Sequence, residues 1–501
     1  MDLVELAKRR GFFWPSFEIY GGASGLYTYG PLGALMKLRI EALIRDYYIN
    51  EEGCLLLEEP VLTTKDPWVA SGHIESFTDM TIECEKCGEA YRADHLVEEK
   101  IKKPTEGLSL AQIRKLIVKN KITCPKCNGK LGSVYDYNLM FSTSLGPGKS
   151  KVEAYLRPET ATTTYADFRR LFNLGRSKLP LGVLQIGKSF RNEISPRTAL
   201  VRLREFHQAE AQFFIDPKEK SHPRLKEVRD MEAQIWTKQA QAKGKKPGRM
   251  KVKDIEVHEW IAYHLGVSLK LFERMGIDLA KLRIRQHRDD ERAFYSSDTW
   301  DVEFLSDNFG RVELVGIADR GDYDLKRHQE LSRQRMEINM DGKSFIPRVV
   351  EVAYGIDRPL LCILESSLKK DKDRFYLRLP PAVTPYQAVV LPLVKKDSIP
   401  QKTREVYNLL RKKGFYVLYD EEYIGRAYYR QDEAGTPFCI TFDYQSLDDK
   451  SVTIRNRDNQ KQIRVRIEEL PAILDRLLKG QAFEKAGKPI RQESKSRAGN
   501  S

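Results

Sequence analysis

Residues 190–214, FRNEISPRTALVRLREFHQAEAQFF, constrain the fold of this chain more than any other stretch. Two extended runs flank a Ser-Pro turn. The pattern predicts an antiparallel hairpin with strands over 189–193 and 201–214 and a loop over 194–200. On such strands Arg191 and Glu193 share a face, and Arg202, Arg204, Phe206, Gln208 and Glu210 share a face. If the two faces coincide, one side of the hairpin offers cations, an aromatic plate and acids in series. ATP suits that surface, with arginine against the phosphates, phenylalanine stacked on adenine and a carboxylate accepting from the exocyclic amine. A solvated hairpin laced by cross-strand ion pairs has the same composition. The other face, Leu203, Glu205, His207 and Ala209, is less uniform, and His207 reads there as a packed or solvent-facing ring.

Two further segments favour the ligand. In VVEVAYGIDRPLLCIL a strand turns into an apolar helix at Gly355, and Arg358 opens that helix within reach of a phosphate tail. WDVEF and GRVELVGIADRGDYDL set Glu303 and Glu313 on strands, as candidate Mg²⁺ ligands beside a triphosphate. A rival phosphate motif fails. Residues 182–189, GVLQIGKS, fit the P-loop expression, but Val183, Leu184, Gln185 and Ile186 prefer a strand, and the following Phe-Arg-Asn-Glu opens no amphipathic helix.

Four of the seven cysteines form two C-x-x-C pairs, Cys84/Cys87 and Cys124/Cys127, with the internal spacing of a tetrahedral Zn²⁺ site. Four thiolates leave no open position, so such a zinc is structural. Cys54, Cys362 and Cys439 sit among apolar neighbours and read as core. Lys and Arg total 85 against 71 Asp and Glu, a net charge of +14 that favours a polyanionic partner, most simply a nucleic acid. The basic segments 238–253 and 483–497 are candidates for phosphate contact, or for plain solvated charge. No apolar run approaches the ~18 residues that span a bilayer, and the N-terminus lacks a signal-peptide core. A cytoplasmic protein without membrane contact is the expectation.

Along the chain, residues 1–80 mix a helix (LGALMKLRIEALIRDYYI) with short strands, and 81–135 form a small cysteine-bearing insertion with its own helix. Residues 136–377 are rich in strands, interrupted near 220–290 by a segment that reads as helical and basic. Prolines cluster at 378–387, and to residue 480 strands and helices then alternate as in a compact α/β unit. The tail 481–501 is polar and basic, with the composition of a disordered segment.

With these pieces laid out, the chain resembles the class II aminoacyl-tRNA synthetases, and within them the glycyl-tRNA synthetase family of the archaeal and eukaryotic kind. The resemblance runs from about residue 10 to 480, through YTYGPLGALMKLRI, ASGHIESFTD, YRADHL, NLMFSTSLGP, YLRPETAT, FRNEISPR, REFHQAE, VELVGIADRGDYDL, YGIDR and IGRAYYRQDEAGTPFCITFD. It implies an α+β fold: an antiparallel-sheet catalytic domain with a zinc-ribbon-like insertion, and a C-terminal α/β anticodon-binding domain. It also implies a homodimer touching through the first of those segments, with ATP, glycine and tRNA-Gly as partners. By position, Arg191 would hold the α-phosphate, Arg358 the γ-phosphate, Phe206 the adenine and Glu193 the base edge. Asn192, Val201, Arg202, Leu203, Arg204, Glu205, Glu313, Leu314 and Gly355 would complete the ATP site. Glycine would be met by Glu159, Glu210 and Glu351, with Arg92, Phe206, Gln208, Arg320 and Ala353 close by.

The chain departs from the family pattern in two places: Ala353 replaces the usual Ser, and Thr162 and Thr163 replace the usual Gln-Gly. Ala353 keeps open a synthetase for another small amino acid, against which the three glutamates argue. A synthetase-like nucleic-acid-binding protein without aminoacylation is the other rival, and it has no use for a full ATP set. Tyr423, Arg426, Tyr428 and Tyr429 are candidates to stack on unpaired anticodon bases.

Overall fold

The computed structural model describes residues 2–490 except 104, 106, 197, 198, 294 and 373; Arg197 and the end of the basic tail lie outside the described residues. Its centre is a nine-stranded sheet. In chain order the strands are β1 (Leu55–Leu57), β2 (Leu181–Phe190), β3 (Glu205–Ile215), β4 (Glu232–Trp236), β5 (Gly248–Lys251), β6 (Leu282–Gln286), β7 (Asp298–Ser306), β8 (Gly310–Gly321) and β9 (Arg348–Gly355). In space they run β5-β4-β6-β7-β8-β9-β3-β2-β1, antiparallel except for the pairs β1/β2 and β4/β6.

Alternation along the middle strands sorts the side chains. Ala209, Ala211, Val350, Val352, Tyr354, Val315, Ile317, Trp300 and Val302 enter one apolar core. Three helices, α1 (Pro31–Asn50), α2 (Glu259–Arg274) and α3 (Asp357–Ser367), pack on these strands and contribute Met36, Ile40, Ile44, Trp260 and Leu360 to that core. The intervening residues face the other way and are left to line a cleft. Period two in the sequence thus decides which residues are structural and which can meet a ligand.

The hairpin forms with a longer connection than the sequence predicts. Strands β2 and β3 pair from Leu181↔Phe214 to Phe190↔Glu205, so residues 191–204 join them. Arg191, Asn192, Glu193, Val201, Arg202, Leu203 and Arg204 therefore stand on a loop and not on strand faces. The reason is the run Ala199, Leu200, Val201 and Leu203, all buried, which packs on every side and cannot alternate. Backbone bonds from the Arg191 N–H to Arg204 O (3.0 Å) and from the Arg204 N–H to Gly25 O (2.9 Å) hold it down. The P-loop look-alike is strand β2 itself. Its glycines serve packing: a Cβ on Gly187 would fall 2.2 Å from Arg157 Nη2, and one on Gly182 2.6 Å from Cys54 Sγ.

The segment 220–290 is less helical than its composition suggests. Strands β4 and β5 extend the sheet edge, a five-residue helix, Lys238–Ala242, lies between them, and only α2 is long. The lysines of QAKGKKPGRMKVK fall in the turn after that helix, at the end of the edge strand and in the short turn beyond it, where Lys243, Lys245, Lys246 and Lys253 are exposed. The cysteine segment folds as three antiparallel strands (Thr78–Cys84, Ala90–Arg92 and Leu131–Asn138) with helices Ala93–Ile101 and Leu110–Lys119 around Ile82, Val97, Ile113 and Leu131. Beyond the prolines, Ala388–Pro392, Val417–Tyr419 and Phe438–Phe442 run parallel, and Ser451–Asn456 and Gln462–Arg466 continue the sheet antiparallel over a separate core. Among the described residues no helix is long and apolar enough to cross a membrane.

Candidate active site

The polar face of strands β3, β9, β8 and β7 forms the floor of a cavity of about 240 Å³. At one end three carboxylates converge. Glu210 of β3 stands opposite Ala353 of β9 in register, two residues from Glu351, while Glu159 reaches in from the turn before helix Ala161–Ala166. All three are buried. Glu210 accepts from the Thr160 N–H (2.7 Å) and the Thr160 hydroxyl. Burial, with Glu351 and Glu159 nearby, pushes its carboxyl up to about 7. Glu351 is likewise raised, by burial and by Glu159, although Arg320 Nη1 donates to both its oxygens at 3.1 Å. Burial also opposes ionisation of Glu159, but His73 at 3.3 Å, Arg320 and the Thr162 hydroxyl (2.7 Å) overcome it and hold this carboxyl well below its ordinary value. Thr162, a departure from the family pattern, is therefore a hydrogen-bond partner of Glu159. Such a crowd of buried acids, short of cations, has the chemistry to accept a cationic group.

Toward the other end Arg191 and Phe206 stack, the guanidinium lying 5.3 Å from the centroids of both Phe206 and Phe77, with Nε donating to Pro158 O (3.2 Å). Glu193, Arg202, Gln208 and Gly355 line the same cavity. Gln208 Oε1 is buried there without a hydrogen-bond partner among the described residues. Arg358, in the first turn of α3, donates to Val201 O (2.9 Å) and to Glu313 Oε2 (3.1 Å). The surrounding protein opposes ionisation of Glu313, whose side chain is 48% exposed, yet Arg358 and His287 hold its carboxyl below the ordinary value. An adjoining hollow of about 380 Å³ shares Val201, Arg202, Asp301, Glu313 and Arg358 with the first and adds Arg285, Glu303 and Arg311. The two together make one elongated cleft, acidic at one end and studded with arginines at the other.

Several candidates stand elsewhere. Arg92 is spent on Asp79 (3.0 Å) and Asp94 (2.5 Å) within the cysteine module and does not line the cleft. Arg204 braces the loop by donating to Glu193 O and Ser24 O, and Glu205 pairs with Lys188. Asn192 donates to the Tyr137 hydroxyl (2.6 Å), and Leu314 is in the core. Glu303 is held by Arg283 through Nε (2.9 Å) and lines only the outer hollow. His207 borders the cavity, but its ring turns to Lys37 on α1, and burial and that lysine push it down to about 3.

The sequence reading missed Asp301, His287, Tyr295, Thr160 and His73, all part of the cleft or bonded to its acids. Asp301 lies two residues from Glu303 in WDVEF, so alternation alone signals it. Burial and Glu313 push its carboxyl up to about 6, with His287 2.6 Å away working against them. Nothing local marks His73 or Tyr295.

The four Sγ atoms of Cys84, Cys87, Cys124 and Cys127 lie within 4.8 Å of one another. Two of the separations are 3.5 and 3.7 Å, near the ~3.8 Å edge of a tetrahedron with Zn–S bonds of ~2.3 Å. Gly129 makes room for them, since a Cβ there would lie 3.0 Å from the Cys84 sulfur. In the C-terminal unit, Tyr423 and Tyr429 are exposed beside Arg10, Arg426 and Arg430 along an open groove, whereas Tyr428 turns inward to Thr441 (2.7 Å).

Residues 146–367 match the family described as tRNA synthetase class II core domain (G, H, P, S and T), and residues 387–477 match the anticodon binding domain. Sheet, cleft and appended α/β unit are together those of a class II tRNA synthetase. Among solved structures, prolyl-tRNA synthetase from Cryptosporidium parvum complexed with halofuginone and AMPPNP shares the fold, with a TM-score of 0.58 at 16% identity over 95% of this chain and 75% of that one. Glycine–tRNA ligases of Methanocaldococcus jannaschii and Thermococcus sibiricus are each 40% identical over 95% of this chain and 98% of the relative. The chain belongs to the glycine–tRNA ligase family. The first of these alignments spans 569 positions, more than the 501 residues here, so that relative carries internal residues that this chain lacks.

Proposed function

We propose that this chain activates glycine with ATP and transfers it to the 3′ end of tRNA-Gly. The observation that carries the reading is the cluster of buried Glu159, Glu210 and Glu351 with Ala353 in one cavity. Arg320 stands between two of the three acids and Glu210 has no ion pair among the described residues, a deficit that a compact cationic ligand would balance. Glycine has no side chain to recognise, so its site must bind an ammonium and a carboxylate and reject anything larger by clash. The glycine carboxylate is already ionised and needs no general base. One of its oxygens attacks the α-phosphorus in line, the bond from that phosphorus to the bridging oxygen breaks, and pyrophosphate leaves. A ribose hydroxyl of the tRNA terminus then attacks the adenylate carbonyl and releases AMP.

In this reading Arg191 and Arg358 hold the α- and γ-phosphates and stabilise charge as it builds on the leaving group. Phe206 stacks on adenine once the base displaces the guanidinium now lying over the ring, and Glu193 reads the base edge. Mg²⁺ would supply further charge neutralisation, held by Glu313 and the phosphate oxygens. Asp301 suits a second carboxylate better than Glu303, because a Cβ on Gly316 would lie 3.6 Å from both Asp301 Oδ1 and Glu313 Oε1. The Cys₄ cluster fits a structural Zn²⁺. We assign residues 1–80 and 136–377 to catalysis, 81–135 to the zinc module and 378–480 to the anticodon, whose bases would stack on Tyr423 and Tyr429. Exposed Phe17, Ile19 and Tyr20, next to the segment 27–40, support a homodimer. A cytoplasmic location accords with reduced thiols.

Amino-acid-dependent ATP–pyrophosphate exchange tests the reading. Glycine, and not alanine, serine or threonine, is expected to drive exchange, and Arg191→Ala to lower it by about 10²–10³-fold. Exchange with another amino acid would move the specificity, and none at all in a folded, tRNA-binding protein would favour a pure binder.

A further inference from the structure

We propose that Tyr295 is a specificity-determining residue of the amino-acid end of the cleft, its ring forming the wall that excludes an α-carbon bearing a side chain. The inference rests on the glycine-activation reading above. The ring centroid lies 3.8 Å from the Arg320 guanidinium, which has no freedom of its own. Arg320 is fully buried, donates through Nε and Nη2 to Asp324 (2.8 and 2.9 Å), and is clamped to both oxygens of Glu351. A rigid plate therefore stands behind the tyrosine, and the ring cannot retreat that way.

Tyr295 lines the cavity with Glu159, Glu210, Glu351 and Ala353, so it looks onto the same space as the acids assigned to the ammonium. The floor of that space is Ala353, Ala318 and Gly316, none larger than a methyl. Such a floor leaves depth for a small side chain, and the wall must do the excluding. The loop around Tyr295 is anchored on both sides. Downstream, the Ser296 hydroxyl bonds Thr299 Oγ1 and Asp298 O (2.8 Å each), and the Ser297 N–H donates to Asp319 O (2.8 Å). Upstream, Glu291 accepts from Arg285 (2.5 Å) and from the Arg288 N–H (2.8 Å). A substrate methyl would have to displace a ring fixed at its back and at its base. Loss of one methyl's attraction discriminates only modestly, whereas a fixed wall discriminates by clash.

The test is pyrophosphate exchange driven by glycine, alanine and serine in the wild type, Tyr295→Ala and Tyr295→Phe, with melting temperatures read alongside. Tyr295→Ala is expected to raise the alanine-to-glycine ratio of kcat/KM at least tenfold, chiefly through a lower KM for alanine. Tyr295→Phe, which keeps the ring, is expected to stay within about twofold of wild type. An unchanged ratio in Tyr295→Ala overturns the proposal even if both rates fall, because a merely structural role lowers both substrates together. Should that variant fail to fold, Tyr295→Leu takes its place: a raised ratio supports the wall and an unchanged ratio overturns it. A wild-type chain that exchanges with no amino acid overturns the ligase reading itself, and this proposal with it.

Discussion

Buried acids are treated in opposite ways in the C-terminal unit and in the cleft. In the former, Asp432 accepts from Arg374 (2.9 Å) and Arg455 (2.8 Å), and its neighbour Glu433 pairs with Arg9 (3.1 Å) and Arg10 (2.5 Å) from the first helix of the chain. Both side chains are 1% exposed, and each meets two cations. In the cleft, Glu159 and Glu351 share Arg320, with His73 3.3 Å from Glu159, and Glu210 makes no ion pair among the described residues. A charge whose partners are built in anchors structure. A charge buried without one raises its own pKa and costs stability until a ligand supplies the cation. The first arrangement ties the C-terminal unit, through Glu433, to the N-terminal helix Leu3–Arg10, and the second, on the reading proposed above, keeps a site ready for an ammonium.

Replacing one arginine in each region is expected to give the largest contrast. Arg191→Ala should lower glycine-dependent exchange by about 10²–10³-fold, since a donor aimed at developing phosphate charge has that worth. Arg455→Ala should leave exchange within a few-fold but lower unfolding free energy by about 2–4 kcal/mol, as Asp432 loses half its pairing in a buried setting. Denaturant melts beside exchange assays read both.

The next effect is one of pH. Glu210, held up to about 7, is neutral below that value and ionised above it. An ammonium binds the ionised form, so KM for glycine should fall by up to about tenfold per unit as pH rises toward 7, then level off. Stability of the ligand-free protein follows the opposite sign. The raised carboxyl favours the folded state at pH values below the ordinary carboxyl range, and that contribution is lost as pH rises through about 7. A KM profile from pH 5.5 to 8.5, set against melting curves of the free enzyme, checks both signs.

The smallest effect concerns Ala353. A serine there adds a hydroxyl beside Glu210, and Ala353→Ser is expected to change kcat/KM for glycine by only about two- to tenfold, the worth of one hydrogen bond.

Where strands alternate, the cleft is legible in the sequence. Gln208 and Glu210, and Glu351 and Ala353, follow from period two once the strands are recognised, whereas Glu313 reaches the cleft through the register shift opposite Val302 and Glu303, which breaks its alternation with Val315. The same period in WDVEF marks Asp301, although Glu303 is the more conspicuous acid of that segment. Residues on connections are not legible in that way. Arg202 and Arg204 look alternate with Phe206, but the buried run Ala199–Val201 turns that stretch into a packed loop, which sends Arg204 to carbonyl oxygens. Arg92 reads as a free cation until the fold brings Asp79 beside it, thirteen residues away. His73 and Tyr295 act across 86 and 25 positions, on Glu159 and Arg320 respectively, and no local pattern encodes such pairings. The edge strand Gly248–Lys251 is hidden because its Arg249 and Lys251 signal solvent, which an edge strand also faces.

The contrast between anchoring and waiting acids is tested most directly by comparing Glu210→Gln with Glu433→Gln, each measured for thermal stability at pH 8 and for glycine-dependent pyrophosphate exchange. Glu210→Gln should melt at or above the wild-type temperature while losing at least about 10²-fold in exchange, and Glu433→Gln should melt lower, by about 2–3 kcal/mol in unfolding free energy, with exchange within a few-fold of wild type. A Glu210→Gln protein destabilised as much as Glu433→Gln would contradict the account, because Glu210 would then be an anchor of the fold and not a carboxylate kept for the substrate.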